Sequence, residues 1–175
     1  VGVFGDRLVI KEIDKDKIID ADLKKAGNGL VKLIRDKLTV PNDERIFYIR
    51  YALKAGFSAQ EISSLSNIDR WFIDNLQELV EIEEELLQYK NHKPEEEMKA
   101  PLELLKKAKA NGFSDRQLAF ILNSKEGKVR DLRKKHNIKA VYKLVDTCAG
   151  EVAAKQPYYY STYENENEVT NSRKK

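Results

Sequence analysis

Cysteine is nearly missing: Cys148 is the only one in 175 residues. That excludes an internal disulfide framework and suggests a reducing, cytoplasmic setting. Proline and glycine are scarce as well, four and eight, too few for a collagen-like, linker-like or glycine-rich all-β chain. The two histidines, His92 and His136, stand 44 positions apart, so no clustered zinc site is written here. The longest apolar run is Leu118 to Leu122, far short of the ~20 residues that span a bilayer or the core of a signal peptide. Gly27-Asn28-Gly29 is a turn that lacks the Lys-Ser/Thr pair of a phosphate loop. No membrane span, no metal site and no nucleotide cradle are legible.

Charge, by contrast, is abundant. Charged residues make up 35% of the chain and apolar residues 41%, the balance of a mostly helical protein with a heavily charged surface. The net charge of +3 conceals a division: residues 41–98 carry −7 and residues 99–143 carry +9. A basic stretch of that size draws phosphates. The plainer reading is that the two segments face one another or form solvated helix faces.

An internal repeat organises the middle of the chain. A shift of 56 positions aligns Ala52, Gly56, Phe57 and Ser58 with Ala108, Gly112, Phe113 and Ser114. It also brings Ile62 onto Leu118, Leu65 onto Ile121, Asn67 onto Asn123, Ile73 onto Val129 and Leu76 onto Leu132. Each copy predicts helix, sharp turn, helix, short turn, helix. Gly56 and Gly112 stand where a left-handed residue ends a helix. Ser58 with Glu61, and Ser114 with Gln117, form capping boxes, and Phe57 with Ile62 and Phe113 with Leu118 form hydrophobic staples. Asp69 caps a long helix with the apolar stripe Phe72, Ile73, Leu76, Leu79, Val80, Leu86 and Leu87, opposite Glu78, Glu81, Glu84 and Glu85. Ser124 is the corresponding cap in the second copy, with Asn137 ending that helix.

The flanks are less regular. Leu8 to Ile10 reads as a short strand, and Leu30, Leu33, Ile34 and Leu38 as an amphipathic helix before Pro41. Residues 91–101 read as a linker, with Pro101 opening the next helix. Residues 156–175 are polar apart from Tyr158, Tyr159, Tyr160 and Tyr163, and read as an extended tail. The expected fold is all-α: an irregular helical domain of two helix-turn-helix-like repeats, about 44–90 and 101–137, between extended connectors at residues 1–40 and 144–175.

Chemistry-bearing residues are few. Gly112 to Arg133 resembles a helix-turn-helix reader in which Lys125, Lys128 and Arg130 would enter a major groove. Glu126 and Asp131 interrupt that basic helix, and the first copy carries Asp69 and Asp74 instead. Nucleic-acid binding therefore stands as the alternative reading. The carboxylates of Glu83 to Glu85 and Glu95 to Glu97 read as solvated runs, Cys148 as a buried small hydrophobe, His136 as a helix C-terminal cation, and Trp71-Phe72 as core. A free-standing enzyme needs a constellation that is not found.

Several strings carry a resemblance. Ala52-Leu53-Lys54-Ala55-Gly56-Phe57-Ser58, Ile68-Asp69-Arg70-Trp71-Phe72-Ile73, Gly112-Phe113-Ser114-Asp115-Arg116-Gln117-Leu118-Ala119, Val145-Asp146-Thr147-Cys148-Ala149 and Tyr160-Ser161-Thr162-Tyr163-Glu164 resemble the central helical domain of the carbamoyl phosphate synthetase large subunit and its outgoing connector. Order and spacing fit over about residues 30–168. The resemblance implies an oligomerisation and structural domain lying between two ATP-grasp halves of an ATP-dependent ligase. Such a parent makes carbamoyl phosphate from bicarbonate, glutamine-derived ammonia and two ATP, for arginine and pyrimidine biosynthesis. It further implies that ATP and magnesium bind elsewhere in the parent, and that this segment holds no catalytic, cofactor or metal site. The implied partners are the two synthetase halves, further copies of the chain and a glutaminase small subunit. The residues expected to matter are structural: the turn residues of both repeats, the Trp71-Phe72 pair, and Asp146, Thr147 and Cys148 of the connector. Self-association is expected as a symmetric dimer. The acidic face of helix 70–90 cannot meet its own copy, so the contact must be an apolar patch or an acidic face against a basic one.

Overall fold

The computed structural model describes residues 28–145 and 158–169. The described residues form seven helices, α1 (Asn28–Thr39), α2 (Arg45–Lys54), α3 (Ala59–Ser66), α4 (Arg70–Leu87), α5 (Leu102–Ala110), α6 (Asp115–Ile121) and α7 (Glu126–Lys135). Two strands follow, β1 (Val141–Leu144) and β2 (Tyr159–Thr162). The expected strand at Leu8 to Ile10 and the connector residues Asp146, Thr147 and Cys148 lie outside the described residues, as does the side chain of Leu30.

Local chemistry sets the helix ends as the repeat predicts. The amide of Phe57 donates to Ala52 O at 3.0 Å and that of Gly56 to Leu53 O at 3.0 Å. The amides of Phe113 and Gly112 make the equivalent pair to Ala108 O and Lys109 O at 3.0 and 3.1 Å. This is the Schellman closure, and it requires the left-handed backbone found at Gly56 (φ 87°) and Gly112 (φ 89°). Asn67, Asn123 and Asn137 take left-handed φ values of 54°, 47° and 57° at other helix ends. Both capping boxes are formed, with Ser58 Oγ accepting from the Glu61 amide and Ser114 Oγ from the Gln117 amide. Ser58→Ala and Ser114→Ala should each lower stability by about 1 kcal/mol, read as a shift in the urea midpoint; no shift in either would contradict the capping role.

The second repeat departs at one cap. The residue preceding α7 is Lys125, which makes no side-chain cap, and Ser124 Oγ is buried without a hydrogen-bond partner. The reason is positional. The Ser124 amide donates to Ala119 O at 2.8 Å, which makes Ser124 part of the closure of α6, one residue before the start of α7. A shift of 56 sets Lys125, not Ser124, opposite the working cap Asp69.

Two clusters of buried side chains form the core, and α4 belongs to both. Ile34 and Leu38 of α1 pack with Ile49, Ala52, Ile62 and Ile73 in the first, where Leu76 is partly buried. Leu104, Leu105, Phe113, Leu118, Leu122 and Val129 pack with Ile82 and Leu86 in the second, where Leu79 is partly buried. At ~100° per residue, Ile73, Leu76 and Val80 form one stripe of α4, and Leu79, Ile82 and Leu86 form another about 120° away. A single amphipathic stripe was expected. The helix instead turns one face to each repeat and acts as a strut between them. Trp71 and Phe72, expected in the core, lie outside both clusters at 64% and 57% exposure.

The tail expected over residues 156–175 is paired in its described part. β1 and β2 are antiparallel in the register Val141↔Thr162, Tyr142↔Ser161, Lys143↔Tyr160 and Leu144↔Tyr159. Residues 167 and 168 then fold back on β1: Asn167 Oδ1 accepts from the Tyr142 amide, and Glu168 Oε2 from the Leu144 amide at 2.7 Å.

Candidate functional site

Three ion-pair centres and one aromatic patch are the chemically distinctive places in the described chain. The first centre joins α2 to α4. Arg50 donates to the Glu83 carboxylate from Nε at 3.2 Å and from Nη2 at 2.8 Å, and Lys54 Nζ donates to it at 2.8 Å. Glu83 was expected among solvated carboxylates, and this corrects that reading. Its position continues the 73–76–80 stripe by one further turn, so it is carried into the interface with α2. Arg50 and Lys54, four apart on α2, face it from one side.

The second centre ties α5, α6 and α7 together. Asp115 receives Arg133 through Nε and Nη2 at 3.0 and 2.7 Å, and Lys109 Nζ lies 3.1 Å from Asp115 Oδ1. Lys109 also donates to Phe113 O at 2.7 Å. The Tyr163 ring, arriving from beyond β2, covers both cations, 4.7 Å from Lys109 Nζ and 5.9 Å from the Arg133 guanidinium carbon. The connector is thus latched to the second repeat by a cation–π contact. In the third centre Lys143 sits between Glu164, Glu166 and Glu168 at 3.9, 3.5 and 3.2 Å.

The half-buried Glu83 and the buried Asp115 carry a pH dependence. Burial pushes the Glu83 and Asp115 carboxyls up, but the Arg50 and Lys54 charges in one case, and hydrogen bonds and charges from Arg133 and Lys109 in the other, outweigh it. Both are held below their ordinary values. A depressed folded-state pKa contributes stability that is present above the unfolded value of about 4 and is lost as pH falls through the folded one. The urea midpoint should therefore not respond to these groups from pH 8 to 5, and should fall below about pH 4. A Glu83→Gln/Asp115→Asn variant should lack most of that acid limb; an undiminished limb in the variant would contradict the assignment.

The groove-reading side chains of the nucleic-acid alternative are engaged within the chain. Lys128 Nζ donates to the carbonyls of Pro94, Glu95 and Glu96. Lys125 pairs with Glu95 at 3.2 Å and Arg130 with Glu126 at 3.0 Å. The basic α7 is pinned to the 91–101 linker, which Asn123 also holds through the carbonyls of Asn91 and His92. Among the described residues no group of three His, Cys, Asp or Glu side chains could hold a metal ion, and no helix is long and apolar enough to cross a membrane.

The expected structural residues divide accordingly. Gly56, Phe57 and Ser58, and Gly112, Phe113 and Ser114, occupy equivalent turns, but Phe113 is buried and Phe57 only partly so. Trp71 and Phe72 meet edge to face with centroids 4.9 Å apart, on the surface. The ion-pair residues were missed, and for Glu83 the stripe spacing was the available signal.

The chain has counterparts among known sequences. The family model described as carbamoyl-phosphate synthetase large chain, oligomerisation domain, matches residues 10–137. This chain belongs to that family. The carbamoyl phosphate synthase large chain of Archaeoglobus fulgidus is 55% identical over 142 residues, covering 81% of this chain and 13% of that protein. That of Rhodopirellula baltica is 50% identical over 136 residues, 78% of this chain and 12% of that one. The large chain, N-terminal section, of Methanopyrus kandleri is 45% identical over 142 residues and is covered to 25%. The chain therefore spans about an eighth of the first two relatives. The helical oligomerisation domain of carbamoyl phosphate synthetase large chains accounts for α1 to α7, and the α4 strut makes its two repeats one block.

Proposed function

We propose that this oligomerisation domain supplies subunit contacts and holds the two ATP-grasp halves of a carbamoyl phosphate synthetase large chain in fixed relation, without chemistry of its own. The observation that carries this is the family match over residues 10–137. The shared strut supports it, because a block with a common helix through both cores transmits position without bending. The latch of Tyr163 onto Lys109 and Arg133 supports a connector leaving the block in a defined direction toward the second half. In this reading the helical domain takes in α1, whose Ile34 and Leu38 stand in the first core, and does not begin at residue 41 as expected; residues 144–175 form the outgoing connector. The parent condenses bicarbonate, glutamine-derived ammonia and two ATP in the cytoplasm, for arginine and pyrimidine synthesis. ATP and magnesium belong to its other domains, and a glutaminase small subunit completes the enzyme.

The purified chain tests this. It should self-associate, should neither bind ATP–magnesium by calorimetry nor hydrolyse it saturably, and should not hold duplex DNA. A DNA reader making 6–10 phosphate contacts loses ~10³–10⁵ in affinity between 50 and 200 mM salt. Micromolar ATP binding, or sequence-selective DNA binding with that salt slope, would overturn the proposal.

A further inference from the structure

The β1–β2 ribbon stands apart from both cores. None of its described residues belongs to either cluster, and Tyr142, Leu144, Tyr159 and Tyr160 are exposed. A two-stranded ribbon is marginal in water on its own, and this one has four residue pairs. Its order therefore comes from contacts other than a core. Some lie within the ribbon and its return segment. The Glu168 amide donates to Tyr142 O at 2.9 Å, and the Glu168 carboxylate accepts from the Leu144 amide and pairs with Lys143. Those contacts close the outer edge of β1, but they do not hold the ribbon to the helices.

Two attachments do that, and Arg133 takes part in both. At the root, the Ile138 amide donates to Arg133 O at 2.8 Å, and Arg133 Nη1 donates to Ile138 O at 3.2 Å. This contact closes α7 itself and persists whatever the ribbon does. At the far end, directly after β2, the Tyr163 ring lies over Lys109 and the Arg133 guanidinium. That contact is of another kind. It is one ring face on two cations, and it can break without opening a core or a helix end.

The cations are held ready for the ring. Asp115 fixes Arg133 through Nε and Nη2 and Lys109 at 3.1 Å, and Lys109 is tied again to Phe113 O. Lys109 is buried and Arg133 half-buried, so the ring meets partly desolvated charges, where a cation–π contact is strongest. Helices α5, α6 and α7 build the seat, and the ribbon supplies only the ring.

We propose that the ribbon is a strap that opens from the second repeat as a unit, with Tyr163 as its catch, an inference that rests on the outgoing-connector reading above. Closed, the strap sets the direction in which the connector leaves the block. Open, it swings about the exposed residues Lys139 and Ala140, and the helices keep both cores and the Asp115 centre. A displacement of the half that follows is then relieved at the strap and does not reach the cores. Such an opening is local and lies below global unfolding in free energy.

Amide hydrogen exchange on the 175-residue chain tests this with Tyr163→Leu and Tyr163→Phe. Phenylalanine keeps the ring face, whereas leucine keeps apolar bulk and removes it. In Tyr163→Leu the amides of Tyr142, Leu144, Val145 and Glu168 should exchange about 5–30-fold faster than in the wild type, the span of a partly desolvated cation–π contact. In Tyr163→Phe they should match the wild type. The amides of Leu118, Leu122 and Val129, bonded within α6 and α7, should be unchanged in both. Ribbon amides unmoved by Tyr163→Leu, or accelerated together with those of the second core, overturn the strap, as does a wild-type ribbon that exchanges like unstructured chain. Acceleration in Tyr163→Phe as well would assign the contact to the hydroxyl and overturn the catch. None of these outcomes alters the subunit-contact reading, which falls only on self-association and on ATP or DNA binding.

Discussion

Phe113→Ala is expected to destabilise the chain by about 3–5 kcal/mol, a large share of the ~5–15 kcal/mol that holds a typical domain. The ring is 8% exposed and stands in the second core with Leu118, Leu122 and Val129. It also occupies the junction where α5 closes and α6 is capped, so its loss opens a cavity between helices that cannot collapse without breaking the Schellman turn. Phe57, its equivalent by the repeat, should cost distinctly less, about 1–3 kcal/mol. That ring is only partly buried against the first core and meets the Arg35 guanidinium at 5.0 Å, a partner that adapts to truncation. Urea midpoints of the two variants check the order. Equal losses would mean that the repeat positions are energetically equivalent, which the structure denies.

Asp115→Asn should cost about 3–5 kcal/mol, because it leaves the buried Lys109 and the partly buried Arg133 without their shared counter-charge. The loss reflects the stranded cations more than the worth of the ion pairs. Removing one of those cations as well should therefore recover part of it. Lys109→Met/Asp115→Asn is expected to be more stable than Asp115→Asn alone, a coupling that a double-mutant cycle reads directly. A double variant as unstable as the sum of its singles would place the cost elsewhere, in the first turn of α6.

Much of this architecture is legible in the sequence because its helix ends are written in short-range chemistry. Gly56 and Gly112, the two capping boxes and the 56-residue spacing need only a few neighbouring residues, and each predicted turn is found. What depends on two elements meeting is not legible in the same way. Glu83 lies in a run of glutamates that looks solvated, and only its place on the 73–76–80 stripe marks it for the partners on α2. Trp71 and Phe72 look like core because large aromatics usually are, but the stripe they extend outruns the repeat that covers it. The pairing of β1 with β2, and the approach of Tyr163 to Lys109 across 54 positions, carry no local signature at all.

Association of the unmodified chain at 0.1 M and at 1 M salt tests whether the domain supplies apolar subunit contacts. The Debye length falls from ~10 Å to ~3 Å between these conditions. Exposed charge pairs weaken accordingly, and burial of aromatic surface does not. Sedimentation equilibrium should show a monomer–dimer equilibrium that changes little between the two salts. A chain that is monomeric throughout, or a dimer that dissolves at 1 M salt, would contradict the account.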